Sequence, residues 1–225
     1  MGKMNPLIAL GLNLLVSHLN QGQEQPKEPG NGIPEVADIP PIARLKQKQG
    51  AIVTILGARE TGKTILSHRI AEVVGRPTYC VSPEQQPPGW IREIKLEEIT
   101  EKPPPYSTLI MEDATVYASQ KDYKDAYIQA LERLIPVVRH KRKLIILFNS
   151  QSSGLIDKFL LDADLVFFKP LNPLYGDIER PMVARMYKDL VPIFNKMTEA
   201  QQMRHAYCIN RFWSGLITIQ KPLAG

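Results

Sequence analysis

The sequence predicts an α/β fold: a mostly parallel central sheet, helices on both of its faces, and a β-hairpin at the C-terminal end. Three observations carry this expectation. Short β-branched apolar runs alternate with stretches of helical periodicity from residue 51 to about residue 200. A glycine loop of the form G-x-x-x-x-G-K-T, Gly57 to Thr64, stands between the first apolar run and the first helical stretch. Near the end, Ala206 to Asn210 and Gly215 to Gln220 are apolar runs joined only by Arg211 to Ser214, which suits a hairpin.

Each element has its own signal. Ala51-Ile-Val-Thr-Ile-Leu56 is a continuous apolar run bounded by glycines, as expected of a parallel strand buried on both faces. Ile65 to Val74 places Ile65, Leu66, Ile70, Val73 and Val74 at helical spacing and stops at Gly75. Pro77 to Ser82 reads as the second strand and ends in a Pro-rich turn, while Trp90 to Ile99 is a weaker strand-then-helix segment. Pro103-Pro-Pro105 breaks the chain ahead of a third strand, Ser107 to Met111. Asp122 to His140 has one apolar helical face and should kink at Pro136. Lys143 to Phe148 and Asp164 to Phe168 are the fourth and fifth strands, with a short helix over Ile156 to Leu161 between them. Pro170 to Pro181 reads as a long loop, and Met182 to Met197 as a helix broken near Pro192.

Ahead of this alternation the composition changes. Residues 1–19 contain a thirteen-residue apolar stretch, Leu7 to Leu19, too short to span a bilayer as a helix. It lacks the cleavage site of a signal peptide, and Pro6 stands where an N-myristoylation signal needs Ser or Thr. A docking helix fits it, packed on this protein, on a partner or on a membrane surface. Residues 20–41, rich in Gln, Pro, Gly and Glu, read as a flexible linker, leaving 42–225 as the folded domain. Ile42 to Gln49 is expected to be a short basic helix at its entrance.

At 225 residues, 44% hydrophobic and 23% charged, the chain has the balance of one soluble α/β domain with appendages. Cys80 and Cys208 both lie in apolar runs, so buried reduced thiols are expected rather than disulfides, and no Cys/His spacing suggests zinc. The net charge of +5 suits a polyanionic partner.

The glycine loop is the strongest chemical signal. Gly57-Ala58-Arg59-Glu60-Thr61-Gly62-Lys63-Thr64-Ile65, flanked by strand and helix, is the phosphate-cradling loop of P-loop NTPases. Its glycines let backbone wrap the phosphates, and the helix offers its N-terminal N–H groups to the anion. Lys63 is expected to reach the β- and γ-phosphates of ATP, and the Thr64 hydroxyl to hold Mg²⁺. Such a loop needs an acidic partner on a neighbouring strand, and Thr108-Leu-Ile-Met-Glu112-Asp113 supplies one. Aligned from the strand, Glu112 takes the Mg²⁺ side and Asp113 the place of a general base; the reverse assignment is equally open.

A third group surrounds the fourth strand: Val138-Arg139-His140-Lys141-Arg142-Lys143 before it and Asn149-Ser150-Gln151 after it. With the loop and the acidic pair, this arrangement resembles the FtsK–HerA superfamily of DNA-pumping ATPases. The small size resembles the genome-packaging ATPases of membrane-containing, tailless (double jelly-roll) viruses. The resemblance covers about residues 50–169, and the Glu-Asp order reverses the family's usual Asp-Glu. It implies a homo-oligomeric ring, usually of six subunits, with ATP held between neighbours. It implies that Gln151, or else Asn149, senses the γ-phosphate. It implies that Arg142 or Arg139 acts in trans on the next subunit's nucleotide, supplying a cation to the transferring phosphoryl group. It further implies a host-cytoplasmic or virion location, with a capsid vertex or membrane protein as the partner of the N-terminal helix.

A motor on duplex DNA needs sequence-independent phosphate contacts. The loop after the acidic pair (Tyr117, Gln120, Lys121, Lys124) and the group Arg180, Arg185 and Lys188 are the candidates. Two other readings stay open. A small-molecule kinase would close a lid carrying Lys169 and Arg180 over ATP, and an assembly ATPase would drive extrusion of a filament or assembly of a virion.

Overall fold

The computed structural model describes residues 32–81, 86–95, 98–99, 101–112, 138, 142–154, 163–172 and 179–220. Its core is one eight-stranded sheet ordered β3-β2-β4-β5-β1-β6-β7-β8. The strands are β1 (Ala51–Leu56), β2 (Thr78–Val81), β3 (Ile91–Glu93), β4 (Thr108–Met111), β5 (Ile145–Ser150), β6 (Leu165–Phe168), β7 (His205–Ile209) and β8 (Ser214–Thr218). All neighbours from β3 to β6 pair in parallel; β7 runs antiparallel to β6 and forms the expected hairpin with β8. The central strands β1, β4 and β5 are buried along their whole length, which is why their sequences show no polar alternation.

Helices cover both faces. On one face lie α1 (Pro40–Gln47) and α2 (Lys63–Val74), whose Ile42, Leu45, Leu66 and Ile70 pack with Val53, Ile55 and Leu147 of the sheet. On the other lies α3 (Pro181–Asn195), whose Val183, Met186, Leu190 and Phe194 meet Leu56, Phe148 and Phe168. Helix α2 ends where the sequence places its stop: Gly75 adopts φ 72°, a left-handed cap that glycine takes without strain. Among the described residues no helix is long and apolar enough to cross a membrane.

Four expectations are corrected. The domain does not begin at residue 42. A 3-10 turn, Val36–Asp38, and Ile39 are already packed, with Val36 and Ile39 buried, and Glu35 bridges to Thr218 at the edge of β8. Ile33, Val36 and Ile39, each three residues apart, are the apolar anchors of this Pro-rich stretch. Helix α3 is not broken at Pro192 but runs through it to Asn195. The proline lies within one turn of the helix end, and Phe194 beyond it is buried, so packing outweighs the one lost backbone bond. Strand β5 starts and ends two residues later than expected, which brings Asn149 and Ser150 inside it. Finally, a short helix α4 (Glu199–Arg204) precedes β7 where none was expected. Its signal is a capping box: Thr198 Oγ1 accepts from Gln201 N at 3.3 Å and Thr198 N donates to Gln201 Oε1 at 2.8 Å. Apart from Val138, which is buried in the core, the expected helices over 122–140 and 156–161, and residues 1–31, lie outside the described residues.

Candidate nucleotide site

Parallel pairing sets the carboxyl ends of β4, β5 and β1 side by side. Leu56 is level with Ser150, and Met111 with Phe148. The glycine loop after β1, Glu112 after β4 and Gln151 after β5 therefore share one end of the sheet, where open α/β folds bind ligands.

The loop is tied down by its backbone. Gly57 N donates to Ser150 O at 3.0 Å and Ala58 N to Pro170 O at 2.7 Å. Thr61 Oγ1 donates to Ala58 O at 2.8 Å, closing the turn on itself. A Cβ on Gly57 would lie 2.5 Å from Lys169 Cβ, and one on Gly62 would lie 2.5 Å from Met203 O. Gly62 also sits at φ 85°, so close approach demands glycine at both motif positions and backbone conformation demands it at Gly62 as well. Glu60, at φ 61°, is a non-glycine residue held in the left-handed region. Arg59 and Glu60 are exposed on the rim, and Ile65 packs at the edge of the α1–α2 core. The Lys63 ammonium donates to Gly57 O at 2.8 Å and Ala58 O at 2.7 Å, arching over the loop it belongs to.

Beneath the loop a polar cluster links helix α2 with the ends of β4 and β5. Thr64 Oγ1 donates to Glu112 Oε2 at 2.9 Å. Asn149 Nδ2 donates to the same Oε2 at 2.8 Å and also to Ser67 Oγ at 3.1 Å. Ser67 Oγ lies 3.3 Å from Glu112 Oε1. Asn149 is fully buried, and its Oδ1 has no hydrogen-bond partner. His68 Nε2 stands 3.9 Å from Glu112 Oε1; burial pulls its pKa down, with the carboxylate pulling the other way. Glu112 is thus held by three neutral donors, Thr64, Ser67 and Asn149. Ser67 and His68 were missed from sequence. Ser67 follows Thr64 by one helical turn on the same face, and that spacing was the available signal.

The donor set fits Mg²⁺. Magnesium takes one or two protein oxygens and completes its shell with water and phosphate oxygens. Thr64 Oγ1 and Glu112 Oε2 supply such a pair of hard oxygens at the helix N-terminus. Among the described residues no group of three or more His, Cys, Asp or Glu side chains could hold a metal by themselves.

The remaining expected residues fall as follows. Gln151 is the first residue beyond β5, at the loop's end of the sheet and partly buried. Arg142 lies at the opposite end of β5, where its Nη2 donates to Pro103 O at 2.9 Å. With β5 between them, it is about 20 Å from the glycine loop of its own subunit. Arg180 caps α3 and donates through Nε to Ser153 O at 3.0 Å, so its head is engaged by the protein itself. Arg185 and Lys188 are exposed on the solvent face of α3. Asp113, Tyr117, Gln120, Lys121, Lys124, Arg139 and Lys141 lie outside the described residues.

Lys169 is a finding the sequence did not announce. It follows β6, is fully buried, and donates through Nζ to Gln202 O, Met203 O and His205 O at 2.7, 2.9 and 2.6 Å. Its three donors meet three carbonyls at the end of α4. Met203 O in turn presses on Gly62, so Lys169 braces the glycine loop from behind. Burial, and Lys63 beside it, pull its pKa down to about 7. In the unfolded chain a lysine titrates near 10.4, so the folded state binds this proton more weakly. Stability should therefore rise as pH climbs from about 7 toward about 10. Lys169→Met is expected to remove that rise and to cost about 3 kcal/mol through unpaired carbonyls. Melting temperatures of both proteins between pH 7 and 9.5 check this; parallel curves would contradict it.

No family model matches the sequence, and no curated protein sequence matches it. Solved structures do match the fold. The genome packaging NTPase of Sulfolobus turreted icosahedral virus 2, in complex with ATP-gammaS, has a TM-score of 0.52 at 15% identity, covering 78% of this chain and 99% of that one. The DNA-packaging ATPase of Sulfolobus turreted icosahedral virus has a TM-score of 0.51 at 12% identity, covering 78% and 98%. A third structure, described as an ATPase, has a TM-score of 0.50 at 12% identity over 95% of this chain and 94% of that one. At such identities the likeness shows the fold: a P-loop NTPase sheet with the glycine loop at its carboxyl end.

Proposed function

We propose that the chain is an ATP-hydrolysing motor that translocates double-stranded DNA as a homo-oligomeric ring, packaging a viral genome into a preformed capsid. One observation carries the reading: Lys63, Thr64 and Glu112 converge at the mouth of the glycine loop, with Asn149 holding the carboxylate. A carboxylate held beside Thr64 at the mouth of the loop suits Mg²⁺-nucleotide binding and the hydrolysis that would drive a motor.

In this reading ATP lies along the loop with its phosphates toward Lys63 and the first turn of α2. Thr64 and Glu112 would hold Mg²⁺, which neutralises phosphate charge when bound. Glu112 or Asp113 orients the attacking water, and Gln151, next to the γ-phosphate end, reads whether that phosphate is present. Arg142 stands about 20 Å from the loop of its own subunit and is bonded to Pro103 O, so any part it takes in hydrolysis is toward a neighbour in a ring. Mixing Arg142→Ala with Glu112→Gln subunits should then restore part of the turnover that each lacks alone. No recovery would remove Arg142 from the site and leave Arg139.

The fold neighbours include a genome packaging NTPase and a DNA-packaging ATPase of turreted icosahedral viruses, which favours DNA as the substrate. The kinase alternative is weakened by its own lid residues: Lys169 is pinned to three carbonyls and Arg180 to Ser153. Translocation is tested by displacement of a third strand annealed to long duplex DNA. ATP-dependent displacement is expected from the native protein and none from Glu112→Gln. Turnover without displacement would point to an assembly ATPase instead.

A further inference from the structure

The opposite end of the sheet carries an arrangement that the nucleotide site does not use. The segments entering the parallel strands there bring Lys48 ahead of β1, Arg76 ahead of β2, Tyr106 ahead of β4 and Lys143 ahead of β5. Arg44 of α1 and the hairpin tip Arg211-Phe212 complete the row. Two aromatic rings are exposed in it, Tyr106 at 48% and Phe212 at 67%.

Each ring is flanked by two cations from different parts of the chain. Arg44 Cζ lies 4.7 Å and Arg211 Cζ 5.4 Å from the Phe212 ring centre. Lys143 Nζ lies 4.8 Å and Arg76 Cζ 5.9 Å from the Tyr106 ring centre. Arg76 is anchored beneath by bonds to the Gln49, Lys143 and Lys48 carbonyls, so the Tyr106 site is built rather than accidental. Lys143 Nζ also donates to Tyr106 Oη at 2.8 Å. Tyr106 (φ 63°) and Lys143 (φ 54°) both hold left-handed backbone, an unfavourable conformation that the fold maintains here twice. The carboxylate in this row, Asp164, is paired with Lys48 at 2.5 Å. From β4 to β7 the row crosses four strand spacings, about 19 Å. Between Arg44, Arg211 and α3 the surface dips into a cleft of about 380 Å³ floored by Val166, Phe168 and Met186.

A large aromatic ring held in water between guanidinium groups is not explained by the core. Exposed rings with cations between them match a strand whose backbone is anionic and whose bases are free to stack. Duplex DNA offers the charge but keeps its bases stacked inside. An acidic peptide offers charge at its side chains but no succession of flat rings.

We propose that this face binds single-stranded nucleic acid without sequence preference, Tyr106 and Phe212 stacking bases while Arg44, Lys143 and Arg211 contact phosphates. The site is separate from the nucleotide site and does not depend on ATP hydrolysis.

Fluorescence anisotropy of the full chain with a labelled oligothymidylate, without nucleotide, tests it against a duplex of equal length. The oligothymidylate is expected to bind through this face and the duplex without it, so that substitutions here separate the two. Phe212→Ala should weaken it by about fivefold or more, since stacking contributes about 1–3 kcal/mol per base. Arg44→Glu with Arg211→Glu should weaken it further and flatten the salt dependence by a slope of about 1.4. Phe212 is two-thirds exposed, so the melting temperature and DNA-free ATP turnover of Phe212→Ala should match the native protein. Unchanged oligothymidylate binding by Phe212→Ala, or duplex binding weakened by Phe212→Ala as much as oligothymidylate binding, would overturn the proposal. Loss of turnover in Lys63→Ala with this binding intact would show that the two sites are independent.

Discussion

Lys63→Ala is expected to lower ATP turnover by more than about a hundredfold while leaving the fold intact. The size follows from the role proposed for the ammonium, that of the loop cation on the phosphates: losing one fixed charge-stabilising donor costs about 10²–10³ in rate. The fold should survive because the bonds from Lys63 Nζ to Gly57 O and Ala58 O lie within the loop itself. Neither bond joins distant elements, so the stability lost should not exceed about 1.5 kcal/mol. Steady-state hydrolysis and thermal melting of the variant check both halves. Near-normal turnover would remove the glycine loop from the reaction.

The second large effect belongs to Glu112. Glu112→Gln keeps the side chain's shape but places an amide where Thr64, Ser67 and Asn149 all present donors. One oxygen remains to accept; the new NH₂ group faces hydrogen-bond donors. Turnover should fall by about a hundredfold or more, with ATP still bound through the loop and Lys63. Titration with a fluorescent ATP analogue, beside a hydrolysis assay, separates binding from reaction. The same pair of measurements on Asp113→Asn assigns the roles: the residue whose loss spares Mg²⁺-dependent binding and removes hydrolysis is the base.

How much of this was legible in the sequence depends on distance along the chain. Strand β1 and helix α2 were read almost to the residue, because an apolar run, two glycines and a helical period all lie within 25 consecutive positions. The glycine loop came with them. Glu112 was readable since it ends an apolar strand, but its attachment to Asn149 and Ser67 was not. Those contacts depend on β5 inserting between β4 and β1, and strand order is not written in local pattern. Lys169 was invisible for the same reason. A lysine after a strand is ordinarily solvated, and only the return of α4 beneath the loop turns it into a buried brace. The error at Pro192 was of another kind, a correct local rule overruled by the packing of Phe194, beyond the proline in the last turn of the helix.

The central claim, a motor that couples ATP hydrolysis to gripping duplex DNA, meets its most direct test in steady-state ATP turnover with and without long double-stranded DNA, at low and moderate salt. Turnover should rise with DNA, and the rise should fade as salt increases, because the contacts are to phosphates. Lys63→Ala should be silent in every condition. Turnover in the native protein that is indifferent to DNA at low salt would contradict the claim and leave an ATPase with some other cargo.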